Sequence, residues 1–582
     1  MHKIIRPLTF ALLVLAASAC KDQLEEFNPS GATAEAVFTT PEGFETAVNG
    51  AYTYNRAIYG KESGYALLEM GTDIWTNAQL NGETQASNVR PQPPLMNYQG
   101  LNTDNVWVKN NLWVPCYQGI NLVNQALKFI NQAGLSATRR PSAEAELRFL
   151  RAWYYYHLVE SYGPVPLRLE PTEGVVTTAT RASVQEVYTQ ILADVDFAVR
   201  NLPVTLAQFP APATGTDYGR ITRPAAEAFA AKAYLSNGQY QKAANYARKV
   251  TTGYTGQGIR LLTNYADLWT FTNQRNAEVL WAVNYSTNLA FNAGSHTGHQ
   301  WFLMQYDDLP GMAQDVANGR PQVRYMPTRF LLDLYNEQND ARYLGSFKQA
   351  WIANNATVKP IPRWTQAEVN QNPALAPFLN QPKFAVGDTA VFTSKRSIPD
   401  FEQLYTRRYR YKTYDIDDLY NADGSLKGER RYYPSLRKFD DPTRATPTTS
   451  ESSRDANMLR LGDIVLIGAE AQVRLGRTDS AAYYVNLVRT RAALPGRTAA
   501  MQVTPAQMTL DFILDERARE LAGEQVRWLD LKRTGKLVER VRAHNPDARA
   551  SIQDFHRLRP IPQSDIDVVT NKGEFYQNDG YN

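Results

Sequence analysis

Two stretches of the chain share one pattern of a helix, a tight turn and a second helix, and this pattern limits what the chain can fold into. In residues 223–250 an alanine-rich helix is followed by a turn at Gly238, and Ala243 comes five residues later. Residues 459–494 have the same plan, with Gly476 at the turn and an alanine again five residues on. Small residues at these positions let two antiparallel helices approach closely, as tetratricopeptide-like helix pairs require. The sequence therefore predicts a helical repeat scaffold, the alternative being two unrelated hairpins with the same spacing.

Four more segments carry apolar residues at helical spacing. They are residues 41–58, 113–130, 142–162 and 183–202. The last begins at Ser183, and serine is a residue type that caps helix N-termini. These segments extend the predicted helical scaffold over most of the N-terminal half.

Residues 253–456 lack this periodicity and are rich in Pro, Asn, Asp and Tyr. One short strand is predicted at 278–285. The many aromatic residues of this region argue against disorder, because they supply the apolar area that disordered segments lack. Irregular excursions from a rigid frame often carry binding surfaces. We therefore predict an ordered, loop-rich insert that holds the ligand-binding region.

The charge and the motifs of the chain exclude several functions. Lys and Arg number 62 against 58 Asp and Glu, and these charges are spread along the sequence. Nucleic acid and a polybasic membrane patch would each need clustered positive charge, so we expect neither. No phosphate-binding glycine loop, serine-hydrolase elbow or zincin motif occurs, and His296 and His299 lack the third ligand of a zinc site. The sequence therefore predicts no catalysis, no metal and no cofactor.

The first 20 residues have the pattern of an export signal that ends at a cysteine. Two basic residues precede an apolar run from Leu8 to Ala17, and small residues lead to Cys20. The run is too short to span about 30 Å of hydrocarbon, which favours a cleaved signal over a membrane helix. The residues before Cys20 resemble a bacterial lipobox, although Ala17 stands where leucine is commoner, and the charged residues after it resemble the surface signal of Bacteroidetes lipoproteins. We predict a signal peptide at 1–19, lipidation of Cys20 and a tether at 20–40, the alternative being a cleaved signal with a chance cysteine.

Several passages together resemble the SusD/RagB family. The densest match is FILDERAREL at 512–521 with RWLDLKRTG at 527–535, and FLRAWYY at 149–155 with YGPVP at 162–166 adds to it. Near the end the chain reads NDGY at 578–581, where the family more often has proline before the glycine. These passages span almost the whole chain after the signal peptide.

The passage at 512–521 also makes physical sense as a structural helix. Its apolar residues recur at three- and four-residue steps and can face a core. Its charges can pair within the helix, Arg517 with Glu520 and Arg519 with Glu516. We therefore predict a scaffold role for this passage rather than a ligand site.

The family resemblance implies a mostly α fold, in which a tetratricopeptide-like helical repeat scaffold supports an irregular, loop-rich ligand-binding region with few short strands. It implies one SusD-like domain at 41–582, with the scaffold at about 41–252 and 457–540 and the irregular insert at about 253–456. By the same resemblance the protein is a lipid-anchored, non-enzymatic subunit on the outer-membrane surface. It would capture oligosaccharides for a SusC-like TonB-dependent outer-membrane barrel.

Three alternatives remain open at the level of sequence. One is a peptide-binding subunit of a RagB-like importer. Another is a surface glycoside hydrolase, which would need two carboxyl groups about 5 to 9.5 Å apart in a cleft. The third is an adaptor that holds the barrel and touches no nutrient.

Eleven residues are candidate ligand contacts, chosen by residue type and location because ligand residues differ across the family. Aromatic rings can stack on the apolar faces of sugars, while amide, carboxylate and guanidinium groups can order sugar hydroxyls. The candidates are Asp73, Trp75 and Asn77 in one N-terminal loop, Trp107, Asn110 and Trp113 around a second, and His299, Trp301, Tyr306, Arg324 and Tyr325 in the central region. For each aromatic residue, a position in the core is the competing interpretation.

Overall fold

The computed structural model describes residues 34–79, 92–211, 218–288, 295–398 and 410–581. The predicted signal peptide at 1–19, Cys20 and most of the tether at 20–40 lie outside the described residues. The described part is mostly α-helical with few short strands, as predicted. None of its helices is long and apolar enough to cross a membrane.

The helices of the N-terminal half include the longest of the described chain. They are α1 Ala34–Phe38, α2 Pro41–Thr53, α3 Glu62–Leu68, α4 Gln92–Asn97, α5 Val106–Val108, α6 Val114–Phe129, α7 Arg139–Tyr162, α8 Val184–Asn201, α9 Arg223–Ser236 and α10 Tyr240–Thr252. A π-helical turn, Lys109–Trp113, joins α5 to α6.

Short helices fill the central region, and longer ones return near the C-terminus. They are α11 Gly298–Trp301, α12 Arg329–Asp333, α13 Arg342–Ser346, α14 Gln366–Gln371, α15 Ile416–Leu419, α16 Leu461–Arg474, α17 Thr478–Ala492, α18 Thr498–Met501, α19 Leu510–Leu521, α20 Arg527–Arg533, α21 Leu537–His544 and α22 Gln563–Asp567. The strands are β1 Trp75–Asn77, β2 Val279–Val283, β3 Tyr325–Pro327, β4 Phe347–Lys348, β5 Ala350–Ile352, β6 Thr389–Thr393, β7 Lys412–Tyr414, β8 Ser435–Leu436 and β9 Ala456–Arg460. Among the described residues they form small sheets of two or three strands, in the orders β1-β3, β2-β9, β4-β8 and β5-β6-β7.

The predicted helices are confirmed, with shifts at their ends. α2 stops at Thr53 because the next four residues tighten into a 3-10 turn. Ser183 caps α8 as predicted: its hydroxyl accepts a hydrogen bond from the Glu186 amide at 3.2 Å. In return the Glu186 carboxylate accepts from the Ser183 amide at 2.7 Å. This capping box satisfies two amides that the first turn would otherwise leave unpaired.

The two predicted helix pairs are also confirmed. α9 packs against α10, and α16 packs against α17. Gly238 and Gly476 both have φ of +73°, a left-handed conformation that glycine adopts without steric cost. Ala243 and Ala481 are fully buried at the helix contacts. The small residues therefore serve the close helix approach that their spacing predicts.

The helical scaffold is discontinuous in sequence. α6, α7, α8, α9 and α10 pack in succession, and α10 then packs against α16, which begins more than 200 residues later. β2 pairs antiparallel with β9, directly before α16, and confirms the strand predicted at 278–285. Trp153 lies edge-on to Phe229 and Trp281, with ring centroids 4.9 and 5.0 Å apart, in the core of this scaffold.

The chain between the two parts of the scaffold is ordered around a second apolar cluster. Trp75, Phe302, Tyr325 and Trp351 are fully or almost fully buried there. The cluster joins an N-terminal strand to residues from the central region. Its aromatic rings supply the apolar area that the sequence predicts for an ordered insert.

Buried ion pairs hold the C-terminal signature helix α19 in place. Glu520 accepts hydrogen bonds from Arg342 at 3.2 Å and Arg460 at 2.8 Å, and from Arg491. Burial alone would raise the pKa of Glu520, but the three guanidinium groups lower it to about 2. A scaffold role for this passage agrees with these contacts.

One predicted pair on α19 is right and the other is wrong. Arg519 pairs with Glu516 at 2.6 Å, as predicted. Arg517 does not pair with Glu520 but with Asp463 at 2.7 Å and Asp530 at 2.6 Å. Its side chain is buried where α19 packs against α16 and α20, so its partners come from those helices.

Candidate functional site

A short two-stranded sheet brings two of the predicted ligand regions together. β1 pairs antiparallel with β3, with Trp75 opposite Pro327 and Asn77 opposite Tyr325. These strands are far apart in the sequence but adjacent in the structure. The N-terminal candidates at 73–77 and the central candidates at 299–325 are therefore neighbours.

Backbone hydrogen bonds extend this sheet on both sides. The Ala78 amide donates to the Arg324 carbonyl at 3.0 Å, and the Arg324 amide donates to the Trp301 carbonyl at 3.0 Å. The Gln79 amide donates to the Arg430 carbonyl at 3.2 Å. Four separate chain segments are thus held side by side by backbone contacts, which fixes the spacing of their side chains.

Four partly exposed side chains of these segments, together with Tyr414 from β7, make up what we call the composite face. They are Asn77, Trp301, Arg324, Tyr414 and Arg431. The Trp301 indole donates to the Thr297 hydroxyl at 3.1 Å, which fixes one edge of the ring. Tyr414 stacks on Tyr432 with centroids 4.6 Å apart, and the Arg431 guanidinium lies over the Tyr432 ring at 4.9 Å. The face combines aromatic surface with amide and guanidinium groups.

Ion pairs balance the charge of the composite face. Arg324 lies 3.7 Å from Glu62, and Arg431 lies 3.0 Å from Glu429 and 3.6 Å from Asp308. Each pair contributes little stability at such an exposed position. Their value is geometric, because each carboxylate restrains the position of a guanidinium group on the composite face.

Asp547 anchors the composite face from below. It accepts hydrogen bonds from the two terminal guanidinium nitrogens of Arg430 at 2.8 Å and from the backbone amide of Asn77 at 3.1 Å. The Thr76 hydroxyl donates to the same carboxylate at 2.6 Å. Burial alone would raise the pKa of Asp547, but Arg430 and these donors lower it below its ordinary value. The carboxylate is therefore charged and holds β1 to the Arg430 segment.

Four of the candidate residues are fully buried, and the structure gives them packing or ion-pairing roles. Asp73 accepts from Arg527 at 2.8 and 2.5 Å and from Arg540 at 2.8 Å. The Trp75 indole donates to Glu69 at 3.0 Å in the interior.

Tyr306 and Tyr325 are the other two. Tyr306 stacks on Trp351 at 4.6 Å, and the Tyr325 hydroxyl donates to the Glu62 carbonyl at 3.2 Å. Both are fully buried, as are Asp73 and Trp75. A buried ring cannot stack on a sugar, and a buried carboxylate cannot bind a sugar hydroxyl. These four residues therefore support the composite face rather than contact a ligand.

His299 is also interior. Its imidazole is only 3% exposed, and burial and the nearby charge of Arg444 lower its pKa to about 3. The ring is therefore neutral at physiological pH. Within the described ranges, no three His, Cys, Asp or Glu side chains are grouped so that they could hold a metal ion.

The second N-terminal group of candidates is not part of the composite face. Trp107 lies on α5 and is half-buried, and Asn110 lies on the π-helical turn that follows and is exposed. Trp113 lines a separate cavity of about 370 Å³ together with Tyr117 and Phe575. Its indole donates to Asp565 at 3.0 Å. Asn110 and Trp107 keep the exposure that a ligand contact needs, whereas Trp113 is held in place by its own partners.

Two residues of the composite face escaped sequence analysis. Tyr414 and Arg431 lie in stretches whose neighbours in space come from distant parts of the chain. The run Arg-Arg-Tyr-Tyr at 430–433 was the available signal, because arginine and tyrosine are enriched among the residues that dominate binding energy. The backbone contact between Gln79 and Arg430, and the hydrogen bond from the Arg430 side chain to the Asn77 carbonyl at 3.2 Å, show that this run lies beside β1.

Comparisons with known proteins identify matching families over most of the chain. A model described as "SusD family" matches residues 277–581, and one described as "Starch-binding associating with outer membrane" matches residues 59–235. The curated "SusD-like protein P2" of Formosa agariphila is 25% identical over 591 residues, which cover 99% of each chain.

Solved structures give the same fold. A "Laminarin binding SusD-like protein" is 21% identical with a TM-score of 0.62, over 93% of this chain and all of that one. The structure of "B. fragilis NanU" is 17% identical with a TM-score of 0.66, over 96% of this chain and all of that one. At these identities the likeness establishes the architecture and leaves the ligand open.

Proposed function

The chain belongs to the SusD family, and we propose that it is a non-enzymatic, surface-exposed subunit that binds oligosaccharides and delivers them to a SusC-type TonB-dependent transporter. The descriptions of the matching models and the laminarin-binding neighbour support a carbohydrate ligand. The family description also supports an outer-membrane location. The transporter partner is part of the proposal through family membership.

The observation that carries the proposal is the chemistry of the composite face. Trp301 offers a partly exposed ring, and sugars bind aromatic rings through the apolar C–H surfaces of the pyranose. Arg324 and Arg431 offer planar donors that suit paired hydroxyls, and Asn77 lies beside them. A flat apolar platform bordered by fixed polar groups is the arrangement that an oligosaccharide requires.

The carboxylates beside the composite face favour binding without cleavage. Asp308 accepts from the Tyr432 hydroxyl at 2.9 and 3.0 Å, and Asp547 is held by Arg430. Glu62 lies 3.7 Å from Arg324. Glycoside hydrolysis needs one carboxylic acid that donates a proton and a second, free carboxylate across the cleft. Carboxylates committed to arginine and tyrosine partners do not suit these roles.

The membrane attachment that we propose lies outside the described residues. Cys20 would carry the lipid after removal of residues 1–19, and the tether at 20–40, which includes α1 near its end, would lead to the scaffold at α2. A lipid chain holds the protein at the membrane without a spanning helix. This arrangement would keep the composite face at the cell surface beside the transporter.

The proposal is tested by affinity electrophoresis of the full chain in gels that contain starch, laminarin, pectin or arabinoxylan, with a peptide digest tested by calorimetry. We expect retardation by at least one glycan, no products in chromatography of the incubated glycan, and no heat of binding from the peptides. Binding to peptides alone would move the protein to an importer of peptides. Released sugar products would establish a hydrolase.

Trp301→Ala tests the composite face itself. Removing the ring should weaken glycan binding by about tenfold or more, because a central aromatic platform carries a large share of binding energy. Tyr483→Ala is the matched control, since Tyr483 is 56% exposed on α17 and lies on the scaffold. Equal binding by both folded variants would remove Trp301 from the site.

A further inference from the structure

A second cavity, of about 410 Å³, lies beside the scaffold and shares no residue with the composite face. Its lining includes Asn55, Arg56, Tyr218, Arg220, Arg275 and Asn284. Its volume falls within the range of small-molecule sites. Its walls come from α2 and the turn after it, from β2 and from residues 218–220. We call it the arginine cavity.

The lining of the arginine cavity is basic. It includes three arginines and, among the described lining residues, no Asp or Glu. Arg220 is neutralised, since it pairs with Glu146 at 2.8 Å and Glu45 at 3.2 Å. The positive character of the cavity therefore rests on the other two arginines.

Arg56 and Arg275 have guanidinium N–H groups that can donate hydrogen bonds to a ligand. Arg56 donates to the Asn284 carbonyl at 3.3 Å, and no carboxylate of the described chain lies within ion-pair distance of it. Arg275 lies over the Tyr218 ring at 4.4 Å, and its nearest carboxylate, Asp455, is 3.8 Å away. A guanidinium carries five N–H donors, so both side chains can still bind an anion.

Lys61 is a half-buried lysine outside the cavity lining, and the charge of Arg56 acts on it. Its pKa is lowered to about 8 by burial and by the charge of Arg56. A cation is disfavoured where positive charge is already in excess. The same field favours an anion.

The arginine cavity also has acceptors without partners. The Asn55 side chain is 1% exposed, and its amide nitrogen donates to the Tyr52 carbonyl at 3.2 Å and the Tyr154 hydroxyl at 3.3 Å. These bonds fix the amide orientation and leave Oδ1 with no hydrogen-bond partner in the described structure. The Asn284 Oδ1 and the Tyr218 hydroxyl are unpartnered as well. Buried polar atoms in native proteins normally have a partner, so these atoms point to a missing one.

We propose that the arginine cavity binds a sugar unit that bears a carboxylate or a sulfate ester. The two arginines would hold the anionic group, and the amide oxygens of Asn55 and Asn284 would accept hydrogen bonds from hydroxyls. A ligand that carries hydroxyl donors and an anionic group on one small ring can bind the arginines and the amide oxygens at the same time. The inference rests on the proposed function and narrows its ligand to an acidic oligosaccharide.

Calorimetry of the full chain with matched ligands tests this inference. The probes are tetragalacturonate and its methyl ester, and a sulfated galactan tetrasaccharide and its desulfated form. The ester and the desulfated sugar keep the ring and lose the charge. We expect one acidic probe to bind at least tenfold more tightly than its neutral form, and the pair that shows the difference identifies carboxylate or sulfate. Equal affinities within both pairs would overturn the inference.

The variants Arg56→Gln and Arg275→Gln test whether the preference for an acidic probe arises in the arginine cavity. Each substitution should weaken binding of the acidic probe by about tenfold to a hundredfold, which is the loss typical of a hydrogen bond to a charged group. The affinity for the neutral probe should not change. Arg260→Gln is the control, because Arg260 is an exposed arginine outside the lining. Arg275 is 60% exposed, so its variant keeps the fold even if Arg56→Gln melts early. An acidic preference that survives in folded Arg275→Gln and Arg56→Gln would overturn the site.

Trp301→Ala separates this inference from the proposed function. Neutral glycan that binds the parent chain and is lost in Trp301→Ala, without any preference for acidic probes, would support the composite face and overturn the arginine cavity. Acidic probes that still bind Trp301→Ala but not Arg275→Gln would support the cavity. No binding of any probe would overturn both.

Discussion

Asp73 is a residue whose predicted role and observed role differ. Two residues before β1, in a polar stretch, it has the features of a ligand contact. In the structure it is fully buried between Arg527 and Arg540, which come from the C-terminal helices α20 and α21. The carboxylate ties the support of the composite face to the scaffold.

Asp73→Asn should destabilise the protein by about 3–5 kcal/mol at pH 7, because it leaves the buried guanidinium of Arg527 without a charged partner and removes one of the three carboxylates that pair with Arg540. Burial alone would raise the pKa of Asp73, but Arg527 and Arg540 lower it to about 2, below the value in the unfolded chain. Its stabilising contribution is therefore complete above about pH 4 and is lost as the pH falls towards 2.

The measurement is the free energy of unfolding by urea for the parent chain and Asp73→Asn, between pH 7 and pH 2. The difference should shrink by about 2 kcal/mol on acidification. Asp104→Asn is the control, since Asp104 is exposed and its replacement should change stability by less than about 0.5 kcal/mol. A difference that is independent of pH would contradict the assigned ion pairs.

Trp75 and Trp301 show why the sequence could suggest candidate ligand contacts but could not tell buried aromatic residues from exposed ones. Both are tryptophans in polar surroundings that the central region and β1 bring together. Trp75 is buried because Phe302 and Phe347, from distant parts of the chain, pack on it at 4.9 and 6.4 Å. Trp301 stays partly exposed. Local sequence carries no information on which ring receives such neighbours.

At the scale of elements, the helix pairs were predictable because their signals are local. A glycine with positive φ ends one helix, and an alanine five residues later lets the next one approach. β1 and β3 were not predictable as a pair. Strands of three residues show no usable period, and their pairing depends on contacts across most of the chain.

Gly238→Ala and Gly476→Ala should each destabilise the protein by about 1–2 kcal/mol. Both glycines have φ of +73° with no atom near the added methyl group, so the cost is backbone strain alone. Gly573→Ala is the matched control, because that glycine also has open space but no positive φ. Urea unfolding followed by circular dichroism measures all three. Similar midpoints for the three variants would contradict the shared turn geometry.

At the scale of the whole molecule, N-terminal and C-terminal residues of the described chain hold each other in place. Glu69 accepts hydrogen bonds from the Gly523 amide at 2.7 Å and the Val526 amide at 3.1 Å. The family resemblance anticipated the architecture, since its signature passages build these long-range contacts. The composite face is assembled from loops between them, and the family signature does not specify those loops.

Cys116 provides a probe of this global packing. It is fully buried in α6, and burial raises the pKa of its thiol. In a chain with Cys20→Ser, which leaves Cys116 as the only cysteine, iodoacetamide at pH 8 should leave the native protein unlabelled and react fully in urea. Rapid labelling of the native protein would contradict a packed scaffold around α6.

The measurement that tests the central claim most directly is hydrogen–deuterium exchange of the full chain with and without the glycan that retards it most in electrophoresis. We predict slower exchange in peptides that cover β1, β3 and the Arg430 segment, and no change in the α9–α10 pair. Protection confined to the scaffold helices, or absent while the glycan is bound, would contradict the composite face as the oligosaccharide site.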